Sequence, residues 1–133
     1  MRIVYARHRE RLQTGQFNWL AATVRIALTS AKYSATEADK FLGDIDPEAI
    51  LVRSPELGTK NAADGYARAL PPELIGYYNS IPATGVLLYE DTGDDATSAL
   101  ICYTSDGPGL PLTGIGLNYV LSYNAAQGGY YRA

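Results

Sequence analysis

The chain has 133 residues, 47% of them hydrophobic, with 11 tyrosines, 13 glycines, one cysteine, one histidine and a net charge of −3. That length suggests a single domain over 1–133 with a modest core. The small net charge gives no reason to expect a nucleic-acid or membrane partner, and no apolar run of about 18 residues is present to form a membrane span.

Charge is unevenly spread. Residues 1–35 carry six basic residues against one acid, a net of +5, and the remainder carries five against thirteen, a net of −8. Such a chain has complementary ends that steer docking. Cys102 stands alone in an apolar run, so it is read as a buried structural thiol and stability must come from packing or assembly. The N-terminal basic residues have no apolar segment behind them and do not form a secretory signal. Tyrosine and glycine in these numbers favour strands and turns over a helical bundle.

In chain order, residues 2–13 predict a short helix with Val4, Tyr5, His8 and Leu12 on one stripe, stopped at Gly15. Phe17 and Trp19 then read as a hydrophobic plug between helix and sheet. Thr23 to Thr29 alternates as a strand, with Val24, Ile26 and Leu28 on one face. Thr36-Glu37-Ala38-Asp39 predicts the start of a second short helix through Phe41 and Leu42, followed by a turn at Asp44-Ile45-Asp46-Pro47. Ile50-Leu51-Val52 begins a strand that Pro55 marks as an edge or a bend. Gly58 and Gly65 bracket a polar stretch, Tyr66 to Leu70 reads as another strand, and Leu74 to Tyr78 leads into a turn.

The strongest local signal is a β-hairpin, with strands expected over 84–90 and 97–104. Val86, Leu87, Leu88 and Tyr89 face Leu100, Ile101, Cys102 and Tyr103 across a turn holding Asp91, Asp94 and Asp95. Neither strand alternates cleanly, so both faces should be covered, by a second sheet or by another subunit. A last strand is expected over 115–123 with Leu117, Tyr119, Leu121 and Tyr123 on one face, and Tyr130-Tyr131 should pair back on an edge. The fold expected is mainly β with minor α, an antiparallel sandwich or barrel-like domain with a short N-terminal helix and one further short helix.

Candidate chemistry is thin. His8 has no nucleophile or orienting acid beside it in sequence and is placed on a surface helix, not in a catalytic site. Asp91, Asp94 and Asp95 lack the full ligand pattern of a calcium loop and are read as turn residues. Asp44 and Asp46 are read as loop caps. The glycines at 107, 109, 114 and 116 lack the strand and helix of a phosphate cradle. Arg7, Arg9 and Arg11 come without interleaved aromatics for base stacking. No catalytic residue, cofactor or metal is expected.

The order of segments carries more. Gly15-Gln16-Phe17-Asn18-Trp19-Leu20, Phe41-Leu42-Gly43-Asp44-Ile45, Tyr89-Glu90-Asp91-Thr92-Gly93 and Ala96 to Tyr103, followed by Gly109-Leu110-Pro111-Leu112-Thr113, resemble a family of small structural proteins of tailed bacteriophages. The resemblance runs from about residue 7 to 131. It is weakest over 55–80 and in the last strand, where Ser122-Tyr123-Asn124 replaces an acidic, tryptophan-containing segment.

The resemblance implies a non-enzymatic virion component, made in the host cytoplasm and located on the capsid surface. The expected role is a decoration (cement) protein that forms a homotrimer and binds the major capsid protein. The alternatives are a neck or tail-attached protein and a carbohydrate-binding head or tail module. Arg7, Arg9, Arg11, Tyr77, Tyr78, Tyr130 and Tyr131 are the expected interface residues.

Overall fold

A computed structural model describes residues 2–63, 65–70, 73–74, 80–105, 110–112, 119–120 and 131–132. Among the described residues the chain is mainly antiparallel β with one α-helix. Its centre is a five-stranded sheet built from β1 (Arg2–Val4), β2 (Val24–Thr29), β3 (Ile50–Arg53), β7 (Gly85–Glu90) and β8 (Leu100–Thr104), in the order β1-β8-β7-β2-β3. A three-stranded sheet contains β4 (Gly58–Ala63), β5 (Tyr66–Leu70) and β10 (Tyr131–Arg132), with β5 in the middle. A short pair joins β6 (Glu73–Leu74) to β9 (Tyr119–Val120).

The expected hairpin forms the middle of the main sheet. Val86 pairs with Thr104, Leu87 with Tyr103 and Leu88 with Cys102. The register then shifts, Tyr89 meeting Leu100. Ile101 is the extra residue, and a bulge of this kind bends the strand and lets neighbouring side chains fall on one face. Ile101 and Cys102 accordingly share a cluster with Val24, Ile26, Leu88, Phe17 and Trp19, joined by Ala67 and Ala69 of β5. The small sheet therefore packs on one face of the large one, sandwich-fashion.

The opposite face holds Ala27, Leu87, Tyr89, Leu100 and Tyr103, covered by Tyr5, Ala35, Leu42, Ile45 and Ala49. Both faces of the hairpin are thus buried by the chain's own residues, and the continuous apolar runs need no second subunit to explain them.

Gly85 opens the approach of one core ring. A Cβ built there would lie 2.4 Å from the ring of Tyr103, which is buried and stands edge-on to Tyr33 at 5.4 Å. The ring covers the glycine backbone, a contact that sheets use to shield such a position. Gly85→Ala is expected to destabilise by about 1–3 kcal/mol through overpacking, read as a lower urea midpoint at unchanged slope.

Several boundaries differ from the sequence expectation. The first residues are a strand, not helix: Arg2, Ile3 and Val4 pair with Thr104, Tyr103 and Cys102, and the helix α1 is shorter, Ala6–Gln13. Two adjacent β-branched residues favour an extended backbone where a partner strand is available. The stop is as expected. Gln16 N–H reaches Arg11 C=O at 2.8 Å, Gly15 N–H reaches Leu12 C=O at 3.3 Å and Gly15 has φ +71°, the Schellman arrangement.

The second helix does not start at Thr36. The Asp39 carboxylate takes the Thr36 N–H at 3.0 Å and the Tyr33 hydroxyl at 2.8 Å, which holds a turn in place of helix. Phe41 then bridges to Ala99, and the helical turns come later, as 3-10 turns at Leu42–Asp44 and Pro47–Ala49.

The polar stretch after Gly58 is strand β4, whose exposed edge tolerates small polar side chains. β3 is an edge strand, in keeping with Pro55 just beyond it. Past its end, Ser54 keeps the ladder going, its Oγ accepting the Ile26 N–H at 2.9 Å. Of the expected strand 115–123, the described residues are Tyr119 and Val120, and they belong to the pair with β6, outside the main sheet. Tyr131 pairs with Ala67 on the β5 edge, as the reading of the last residues expected.

Candidate functional site

Two segments far apart in sequence meet in space beside the main sheet. The stretch from Phe41 to Ile45 lies against the turn that joins β7 to β8. Leu42 N–H donates to Ser98 C=O at 2.9 Å and Gly43 N–H to Asp95 C=O at 2.8 Å. Leu100 N–H donates to Lys40 C=O at 3.0 Å. Gly43 suits this close approach, because a Cβ would sit 3.1–3.2 Å from the backbone of Asp95 and Ala96. Leu42 is buried beneath the contact.

The turn itself is held by its acids and hydroxyls. Asp91 Oδ1 accepts the Gly93 N–H at 2.8 Å, and Oδ2 meets Arg25 Nε at 2.6 Å. The Gly93 hydrogen bond first, and Arg25 second, hold the Asp91 carboxyl below its usual range. Asp94 Oδ1 caps the Ala96 N–H at 3.0 Å. Asp95 receives both Nη atoms of Arg53, at 2.8 and 2.7 Å, and that fork lowers its pKa too. Thr92, Thr97 and Ser98 close the turn with hydroxyl contacts, the shortest being Thr92 Oγ1 to Thr97 Oγ1 at 2.6 Å.

Each of the three aspartates therefore spends its carboxylate on the fold. Asp44 and Asp46 do the same as caps, taking the Phe41 and Glu48 N–H groups. No group of three or more His, Cys, Asp or Glu is gathered for a metal among the described residues. Beside the turn a cavity of about 250 Å³ opens between Leu42, Ile45 and Pro47 on one side and β3 on the other, with the Arg53–Asp95 pair at its margin.

His8 is not on the surface. Its side chain is fully buried and its ring stands edge-on to Phe17 at 4.6 Å. Burial first, and the Arg11 charge second, depress its pKa to about 4. It is a neutral core residue at neutral pH. Cys102 is also buried, and burial pushes its thiol up to about 12, which removes the thiolate that nucleophilic or redox chemistry needs. Tyr5 donates to Tyr33 Oη at 2.7 Å, since the Tyr33 hydroxyl proton goes to Asp39. That chain ties the start of α1 to the layer covering the second face.

The three helix arginines separate in role. Arg9 donates to Val4 C=O at 2.7 Å and pairs with Glu37 at 3.1 Å. Arg11 pairs with Glu90 at 2.7 Å, both side chains being mostly buried. Arg7 lies over the ring of Phe41, 4.9 Å from its centroid. The positive segment and negative body thus meet largely within the chain, with Arg25–Asp91 and Lys32–Glu48 adding to the count. Tyr77, Tyr78 and Tyr130 lie outside the described residues, and Tyr131 is placed on the β5 edge.

Comparison of the chain with protein-family models, with characterised proteins and with solved structures returns no match.

Proposed function

We propose that this chain is a non-enzymatic structural protein of a tailed-bacteriophage virion, a capsid decoration protein that binds major capsid subunits on the outside of the shell as a homotrimer. The observation that carries this reading is the interlock of residues 41–45 with the β7–β8 turn. Phe41 to Ile45 and the start of the Ala96 to Tyr103 segment, two of those on which the resemblance rests, form a packing device: a glycine against backbone, a buried leucine and paired backbone bonds. A packing device of this kind suits a protein whose task is to be a rigid block. Among the described residues the turn carboxylates hold the turn and His8 and Cys102 serve the core, roles that suit a structural protein.

The test is to locate the protein in purified particles. Decoration predicts copies in numbers comparable to the capsid subunits, spread over the head in immuno-electron micrographs. A few copies confined to the portal or tail would replace the decoration reading with the neck or tail alternative. Binding to a glycan array with no particle association would favour the carbohydrate module.

A further inference from the structure

Most of the basic charge in residues 1–35 is neutralised at home. Arg9, Arg11, Arg25 and Lys32 each meet a carboxylate, from Glu37, Glu90, Asp91 and Glu48. Arg7 does not: among the described residues no acceptor meets it. Its guanidinium is seated by stacking on Phe41 at 4.9 Å, and its Nε is shut off from solvent without a hydrogen bond. One helical turn on, Arg11 gives Nη2 to Glu90, while its Nη1 is buried without an acceptor.

Glu90, Ala99 and Phe41 lie on adjacent backbone segments, through the Glu90 N–H bond to Ala99 C=O at 2.9 Å and the Phe41–Ala99 bridge. Arg7 and Arg11, four apart on one helix face, therefore lie over a row that supplies two guanidinium groups with a single carboxylate. Exposed Lys40 precedes Phe41 and adds to the excess. A cation already fixed on an aromatic ring loses little freedom when an anion arrives.

The matching surplus is in the same chain. Residues 36–133 hold thirteen acids and five bases; the four named pairs and Arg53–Asp95 consume Glu37, Glu48, Glu90, Asp91 and Asp95 and one of those bases, leaving eight acids against four bases. We infer that Arg7, held on Phe41, is the docking point for a carboxylate from the acidic body of a second copy of this chain. The contact is head-to-tail, the kind that closes into a ring when the rotation allows. This deepens the assembly part of the reading above and assigns the homotrimer contact to one helix face.

The experiment is sedimentation equilibrium of the full chain at low and high salt, for wild type, Arg7→Lys and Arg7→Glu. Wild type is expected to self-associate at low salt and to weaken steeply as salt rises. Arg7→Glu is expected to raise the dissociation constant about tenfold or more by placing like charges together, with Arg7→Lys between the two because it keeps charge but loses the planar stack. Thermal melts establish that each variant is folded. If Arg7→Glu is not, the salt response of wild type and the behaviour of Arg7→Lys decide.

A wild-type chain that stays monomeric at low salt, an association indifferent to salt, or an Arg7→Glu variant that associates like wild type overturns the inference. A chain that associates through Arg7 yet is missing from particles would sink the decoration reading and leave this one standing. A particle-borne chain that is monomeric in solution does the reverse.

Discussion

Replacing Trp19 by alanine is expected to lower the unfolding free energy by about 3–5 kcal/mol. The indole is 8% exposed and lies in the cluster that joins the two sheets. Its Nε1–H points between two carbonyls, Asn61 at 2.9 Å and Arg68 at 3.1 Å. Those two residues are cross-strand partners on β4 and β5, so one side chain fastens both strands of the small sheet to the face of the large one. Lys60 lies over the ring, 5.7 Å from its centroid. Trp19→Ala removes the ring and leaves two carbonyls with a lost donor. Trp19→Phe separates these effects, keeping most of the packing and losing about 1–2 kcal/mol for the N–H. Guanidinium titrations decide it: a loss below about 1 kcal/mol for Trp19→Ala would show that the ring does not hold the layers together.

Acid should weaken the fold well before its carboxylates respond. His8 is neutral in the folded chain with a pKa near 4, against 6.5 when unfolded. The unfolded chain therefore binds the additional proton as pH falls below 6.5. Stability from this residue is fully present above that value and is lost progressively down to about 4. The shift corresponds to about 3 kcal/mol. Asp91 and Asp95, with carboxyls held below 3.8, act at lower pH and do not produce this slope. His8→Phe keeps a ring against Phe17 and should flatten the stability profile between pH 6.5 and 4. An unchanged profile in that variant would assign the acid sensitivity elsewhere.

How much of this was legible in the sequence depends on whether the deciding partner was near in the chain. The hairpin, the Gly15 stop and strand β5 rest on local signals and form there, although the second hairpin strand begins at Leu100 and not at 97, where the chain is still in the turn. Arg2-Ile3-Val4 reads as helix because it adjoins a run of good helix formers, while the strand that claims it lies at Cys102 to Thr104. The start at Thr36 failed for a similar reason. Asp39 fits a capping pattern, but Tyr33 and the bridge to Ala99 take that segment into a turn and a strand. The roles of Gly43 and Gly85 were invisible, since each is set by a backbone or ring brought from a distant segment. The arginine cluster is visible as charge, yet nothing in its spacing distinguishes Arg9 and Arg11, which find carboxylates, from Arg7, which lies on the Phe41 ring without one.

The placement of β1 at the rim of the main sheet bears on the order in which the chain gains its shape. Ile3 sits opposite Tyr103, so the first strand has nowhere to pair until β8 exists. The hairpin of β7 and β8 closes over a short loop, whereas β2 and β1 must each be drawn in from far along the chain. Distant pairings of this kind slow folding, and a barrier dominated by them favours milliseconds to seconds over microseconds. β1 should then be the last strand to zip and the first to peel away. In hydrogen-exchange terms, the amides of residues 2–4 should exchange through small openings, while those of β7 wait for the whole domain to unfold.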